Sequence, residues 1–176
     1  NPETLYLKWV GKVHTNRELM WGRSFNDGNL LVNTSALVPN LSLDPMGTLA
    51  MRDSRHPIWM AALPRIADLV AEGAEFLKGR PDLTAEYTDL GVQDVFGTRS
   101  HCYRAVLPYE ANPKIMYAPE IQLCLSTATG LPSRFIAWAD EDGARRQVED
   151  YAFRQVKANV GLTEADFDPE NEAYGF

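Results

Sequence analysis

The stretch from Leu131 to Lys157, LPSRFIAWADEDGARRQVEDYAFRQVK, decides the fold. Apolar and polar residues alternate over Leu131 to Ala139 and again over Arg145 to Lys157, the period of a strand with one wet face. Between them Asp142-Gly143 supplies two residues that tolerate positive φ, as a tight hairpin loop requires. The same grammar recurs upstream: Thr4 to Val10, Arg17 to Ser24, Asn29 to Asn33, Gly47 to Arg52, Val95 to Leu107 and Tyr117 to Ser126 read as strands, with Asn26-Asp27-Gly28 as a second tight turn. About eight consecutive strands with short turns predict an antiparallel meander rather than βαβ crossovers. A sheet of that size twists, and its apolar face must be covered.

The cover is predicted over Pro57 to Lys78. Ile66, Leu69, Val70, Gly73 and Leu77 form an apolar stripe at helical spacing, leaving Arg65, Asp68, Glu72 and Glu75 for the wet side. Pro57 suits a first helical turn, whereas Pro64 predicts a kink or two short helices meeting near Leu63, and Gly79 the stop. Leu83 to Leu90 reads as helical or irregular. The fold class is therefore α+β.

Across 176 residues, 45 % hydrophobic and 23 % charged content is that of a soluble globular domain. With no internal repeat and no linker, residues 1–176 are read as a single domain. The count of 17 basic against 24 acidic residues gives a net charge of −7, which argues against a nucleic-acid partner. No apolar run approaches the ~20 residues that span a bilayer. The chain starts at Asn1 with no basic-then-apolar leader, as a mature or truncated product would.

Chemistry is sparse. Cys102 and Cys124 lie nearly symmetrically about Asn112-Pro113, so a hairpin there would set them opposite each other, close enough for a disulfide. Two reduced, buried cysteines are the alternative, and both readings stay open. His14, His56 and His101 have no metal-ligand spacing, and no metal or cofactor is expected. Asp53-Ser54-Arg55-His56 holds the residue types of a triad, but four adjacent residues cannot converge on one another. Asp53 or Ser54 capping the next helix is the plainer reading, with Arg55 and His56 as a polar rim for an anionic head group. A hydrolase using His56 or His101 would need a carboxylate or nucleophile brought to it by the fold. The acidic run Asp166 to Glu172 fails the EF-hand template and reads as a turn capped by Thr163. Asn33 and Asn40 are glycosylation acceptors only by pattern. Trp9, Trp21, Trp59 and Trp138, with Tyr6, Phe76, Met51 and Met60, fill a core or line a cavity between sheet and helical cover.

Several segments resemble a family of bacterial exported proteins, the domain-of-unknown-function family numbered fifteen seventy-one. They are Leu5-Tyr6-Leu7-Lys8-Trp9, Asn26-Asp27-Gly28-Asn29-Leu30, Leu43-Asp44-Pro45 leading to Leu49-Ala50-Met51, Arg55-His56-Pro57-Ile58, Leu131-Pro132-Ser133-Arg134 and Leu162 through Asn171. The resemblance implies a fold similar to the lipoprotein-localisation-factor (LolA-like) type: a strongly curved antiparallel sheet, a half-open barrel, with helices over its concave face. It also implies export to the periplasm or cell envelope. Members carry some tens of residues before the Tyr-x-Lys-Trp strand, so this chain is expected to be the larger C-terminal part of a longer exported protein, with an exposed edge strand open to oligomer formation. The expectation is a non-catalytic protein that binds a lipid, acyl chain or other hydrophobic small molecule, with peripheral membrane contact. Trp9, Trp21, Met51, Trp59, Leu63, Ile66, Val70 and Phe76 are its candidate lining, and Arg55 and His56 its head-group contacts. The competing expectation is an envelope interaction module, partnered by an envelope protein, with a fully packed core.

Overall fold

A computed structural model describes residues 4–10, 12, 14–34, 37–52 and 54–176. Asp53, a candidate helix cap, lies outside the described residues. The chain divides into two compact units, one of residues 1–65 and 158–176, the other of residues 66–157.

In the first unit, β1 (Thr4–Lys8), β2 (Glu18–Gly22), β3 (Leu30–Asn33) and β4 (Leu41–Leu43) form an antiparallel sheet in that order. Its register pairs Leu5 with Trp21, Leu7 with Leu19, Leu19 with Val32 and Val32 with Leu41, so one face is apolar. Alternate positions bring Tyr6, Lys8, Glu18, Met20 and Asn33 to the opposite face. The β2–β3 turn runs through Asn26, Asp27 and Gly28 at φ of 50°, 53° and 79°, the left-handed values their side chains tolerate.

Gly47 to Arg52, expected as a strand, is instead the short helix α1 (Thr48–Met51). Asp44 winds the chain into it. Its carboxylate accepts the Met46 N–H at 2.9 Å and its carbonyl accepts the Gly47 N–H at 2.9 Å. Two helical pieces then meet at the expected break. A 3₁₀ segment, Ile58–Ala61, follows Pro57; Ala62 is extended at ψ 130°, and α2 (Leu63–Lys78) begins with Pro64 in its first turn, where no N–H is needed.

The second unit is a five-stranded antiparallel meander, β5 (Glu86–Val95), β6 (Thr98–Val106), β7 (Glu120–Ser126), β8 (Pro132–Glu141) and β9 (Ala144–Ala152), in sequence order. Asp142 and Gly143, at φ of 52° and 75°, make the two-residue β8–β9 turn. β9 stops at Ala152, short of the expected Lys157. β5 corrects the helical reading of Leu83 to Leu90. Its alternation is broken by a bulge between Asp89 and Gly91, where the Asp89 carboxylate accepts the Gly91 N–H at 2.7 Å and Gly91 takes φ 71°.

Ile66 of α2 packs with Ala118, Phe135 and Ala137, all 5 % exposed or less, on one face of the meander. The other face carries ion pairs beside the buried Ile136. Arg104 and Arg145 reach Glu120 at 2.8 and 3.2 Å, and Arg134 pairs with Asp150 at 2.7 Å. The α+β class and antiparallel pairing thus stand, with the strands among the described residues falling into two sheets instead of one continuous meander. The long helical insertion between β4 and β5 accounts for the division, since it removes the short turn that a continuous meander needs.

Candidate functional site

The ten candidate contact residues divide between the units. Trp9, Trp21, Met51, Arg55, His56, Trp59 and Leu63 belong to the first, and Ile66, Val70 and Phe76 to the second. Within the first unit the structure brings Trp21 and Trp59 together, their ring centroids 5.3 Å apart and tilted by 43°. Trp21 is 7 % exposed and its indole N–H donates to the Gly28 carbonyl at 3.0 Å, so its polar edge is satisfied by the turn that follows its own strand.

Around this pair lies an apolar layer. Trp21, Leu30 and Val32 are buried, while Leu5, Leu19, Leu43, Ala50, Ile58 and Trp59 pack against them only half-buried. Ala50 of helix α1 packs on this layer, and nearby in the chain Leu41, Met46 and Leu49 are exposed at 37 %, 59 % and 56 %. None of these three stood among the sequence candidates. A three-residue strand is too short for its alternation to be read, and Leu49 was assigned to a strand.

Met51, Trp9 and Leu63 are half-buried. Arg55, exposed, and His56, half-buried, sit between α1 and Ile58–Ala61. In the second unit Ile66 is core, whereas Val70 and Phe76 are half-buried farther along α2, and the Arg80 guanidinium lies 6.0 Å from the Phe76 ring centroid.

Two further groupings carry chemistry. His101 Nε2 lies 2.6 Å from Asp89 Oδ1 and its ring stacks on Tyr103 at 4.6 Å, which supplies the carboxylate a catalytic histidine needs. Asp89 is already engaged by the bulge at Gly91. That N–H, first, and His101, second, hold its carboxyl below the usual carboxylate range. Among the described residues no hydroxyl or thiol hydrogen-bonds His101.

The other grouping is Cys102 and Cys124. They are register partners on β6 and β7 with Cα atoms 4.0 Å apart, fully buried beside Val95 and Leu90, and joined as a disulfide.

On the far face of the four-stranded sheet, Glu18 and Asn33 are buried polar residues that sequence reasoning missed. Burial works against a charged Glu18. The Lys8 ammonium at 2.6 Å, the Gly175 N–H at 2.7 Å and the Tyr6 hydroxyl nonetheless hold its carboxyl below the ordinary value. The same burial, with Glu18 as neighbour, pushes Tyr6 up to about 12. The Asn33 amide donates to the Gly175 carbonyl and is 6 % exposed, so the glycosylation pattern there falls on a side chain already occupied. The signal available in the sequence was a lone Glu opening the apolar run Leu19-Met20-Trp21.

Comparison with known proteins gives a family without an activity. The family described as "Protein of unknown function (DUF1571)" matches residues 1–176. Comparison with curated proteins finds no match. Among solved structures, one similar chain comes from the complex of the CwlD amidase from Clostridioides difficile with the GerS lipoprotein. It has a TM-score of 0.40 and 11 % identity, over 89 % of this chain and 70 % of that one. Another is a DUF1329 family protein from Desulfovibrio piger, with a TM-score of 0.35 and 13 % identity, over 93 % of this chain and 74 % of that one. Likenesses at this level establish neither an activity nor a partner for this chain.

Proposed function

The chain belongs to the DUF1571 family, and from the geometry of its own residues we propose that it is a non-catalytic carrier of a hydrophobic ligand, a lipid or an acyl chain, working in the bacterial cell envelope. The observation that supports this is the incompletely covered apolar layer of the first unit. In that unit six apolar side chains remain half-buried around three buried ones, and Leu41, Met46 and Leu49 stand in solvent. Covering such a surface with a hydrocarbon chain is favourable by about 0.8 kcal/mol per buried methylene, so a chain of ten or more carbons would be held well.

Arg55 and His56, between α1 and the 3₁₀ segment, are the groups this reading gives to an anionic head group. The half-barrel with a helical cover, implied by the family resemblance, is the arrangement the reading carries with it. Its location in the envelope is supported by the disulfide, since both cysteines of the chain are paired and a buried pair of this kind persists in oxidising compartments. Extraction of purified protein under denaturing conditions, followed by lipid mass spectrometry, tests it. Lipid at near-equimolar amount is expected, and extracts no richer than those of an unrelated exported protein overturn the reading.

A second reading, an envelope interaction module with a closed core, draws on Trp21. Trp21 is buried, packed against Trp59 and has its N–H satisfied within the protein, as a core residue would.

A further inference from the structure

The carrier reading uses one face of the four-stranded sheet, and the other face holds a recess of a different kind. There the register sets Lys8 beside Glu18 and Glu18 beside Asn33, with Tyr6 on the same side of β1. Residues Tyr174–Phe176 lie in this recess. Glu18 Oε2 accepts the Gly175 N–H at 2.7 Å, the Asn33 amide donates to the Gly175 carbonyl, and the Tyr6 ring centroid is 4.2 Å from that of Tyr174 and 6.3 Å from that of Phe176. A Cβ added to Gly175 would meet Glu18 Oε1 at 3.3 Å, and Glu18 cannot easily yield because Lys8 holds that same oxygen at 2.6 Å. The recess therefore reads both the donor and the acceptor of one glycine residue, crowds any side chain there, and offers a ring to its aromatic neighbours. Buried, fully partnered groups that read main-chain atoms in this way recognise a peptide segment.

Its occupant is reached through a long exposed segment. Residues 154–165, which lead to it, are exposed throughout. We propose that Tyr6, Lys8, Glu18 and Asn33 form a recognition site for an aromatic-glycine-aromatic segment, and that the Tyr174–Phe176 segment of a second copy can enter it, so that two chains exchange tails. A second copy brings the same contacts with no new surface to create, which is why exchange of an identical element is a low-cost route to a dimer. The resident segment competes at an effective concentration on the order of millimolar, so the unsubstituted chain stays closed at micromolar concentration and exchange appears when the resident segment is weakened.

The test uses full-length chains and a fluorescently labelled peptide of residues 163–176. Gly175→Val damages the resident tail and leaves the recess intact; this variant is expected to bind the peptide at least tenfold more tightly than the unsubstituted chain. Adding Asn33→Ala to it should weaken that binding at least tenfold. Mixing the Gly175→Val chain, with its open recess, and the Asn33→Ala chain, with its intact tail, should give a species of twice the chain mass in sedimentation, while each alone stays monomeric. Where circular dichroism shows Asn33→Ala unfolded, Tyr6→Ala takes its place in both arms. Equal peptide binding by all folded variants, or a mixture that remains monomeric, overturns the proposal.

Discussion

Removing the Cys102–Cys124 bridge should destabilise the second unit by about 3 kcal/mol. The bridge closes a loop with a sequence separation of 22, and the loop-closure entropy lost from the unfolded chain at that length is worth roughly 3.4 kcal/mol at 25 °C. A double Cys102→Ala and Cys124→Ala variant also empties the space the two sulfurs fill beside Val95 and Leu90, which adds to the loss. If the chain unfolds as a whole, the midpoint should fall by about 6–12 °C. The assay is thermal and urea unfolding of the wild-type protein, of wild type with reductant, and of the double variant. Mass spectrometry after alkylation without reductant reports whether thiols are free. Both perturbed samples should shift down, the double variant further. Two alkylated cysteines in protein purified from an oxidising compartment, or a midpoint unmoved by reductant that has demonstrably opened the bridge, would refute the reasoning and remove the support it gives to an envelope location.

Other perturbations have defined outcomes. Because Glu18 is held below the ordinary carboxylate range, its docking of Gly175 is fully present at neutral pH and is lost as the pH falls below the ordinary glutamate value toward the depressed one; amide exchange at Gly175 should accelerate there. Glu18→Gln should flatten that dependence, and an unchanged profile in the variant would contradict it. Trp21→Ala removes a ring 7 % exposed and should cost about 3–5 kcal/mol in urea unfolding, with a loss under 1 kcal/mol counting against its core position. Gly143→Val, at φ 75°, should cost about 1–2 kcal/mol, measured the same way, with no loss refuting the left-handed hairpin turn.

What was legible in the sequence was local. Asp142-Gly143 and Asn26-Asp27-Gly28 announced their turns because only a few residue types accept those dihedrals, and Pro64 announced the break before α2 because a proline interior to a helix has no N–H to give. The Cys102–Cys124 register followed from their symmetry about one loop. Where reading failed, tertiary packing or a local exception outweighed pattern. Leu49 and Met51 alternate like a strand, but Asp44 turns the chain into a helix whose Ala50 meets the sheet. β5 hides behind Asp89, Gly91 and Asp94, because the bulge takes one residue out of register. The candidate site was legible only in part. Trp21 and Trp59 could be guessed as large apolar residues, whereas Glu18 and Gly175 are 157 positions apart and nothing in either neighbourhood names the other.

A carrier must accept a hydrocarbon chain on the apolar layer of β1–β4, and one titration tests this directly. Protein stripped of lipid is titrated with a fluorescent fatty acid, and uptake is read by energy transfer from the tryptophans; Trp21 and Trp59 adjoin the layer. Saturable transfer near one ligand per chain is predicted, falling at least tenfold in affinity when Leu49→Asp and Met46→Asp place charges on the exposed apolar residues of α1 and of the turn that leads to it. Folded protein that shows no saturable transfer, or uptake indifferent to those two substitutions, would contradict the carrier reading.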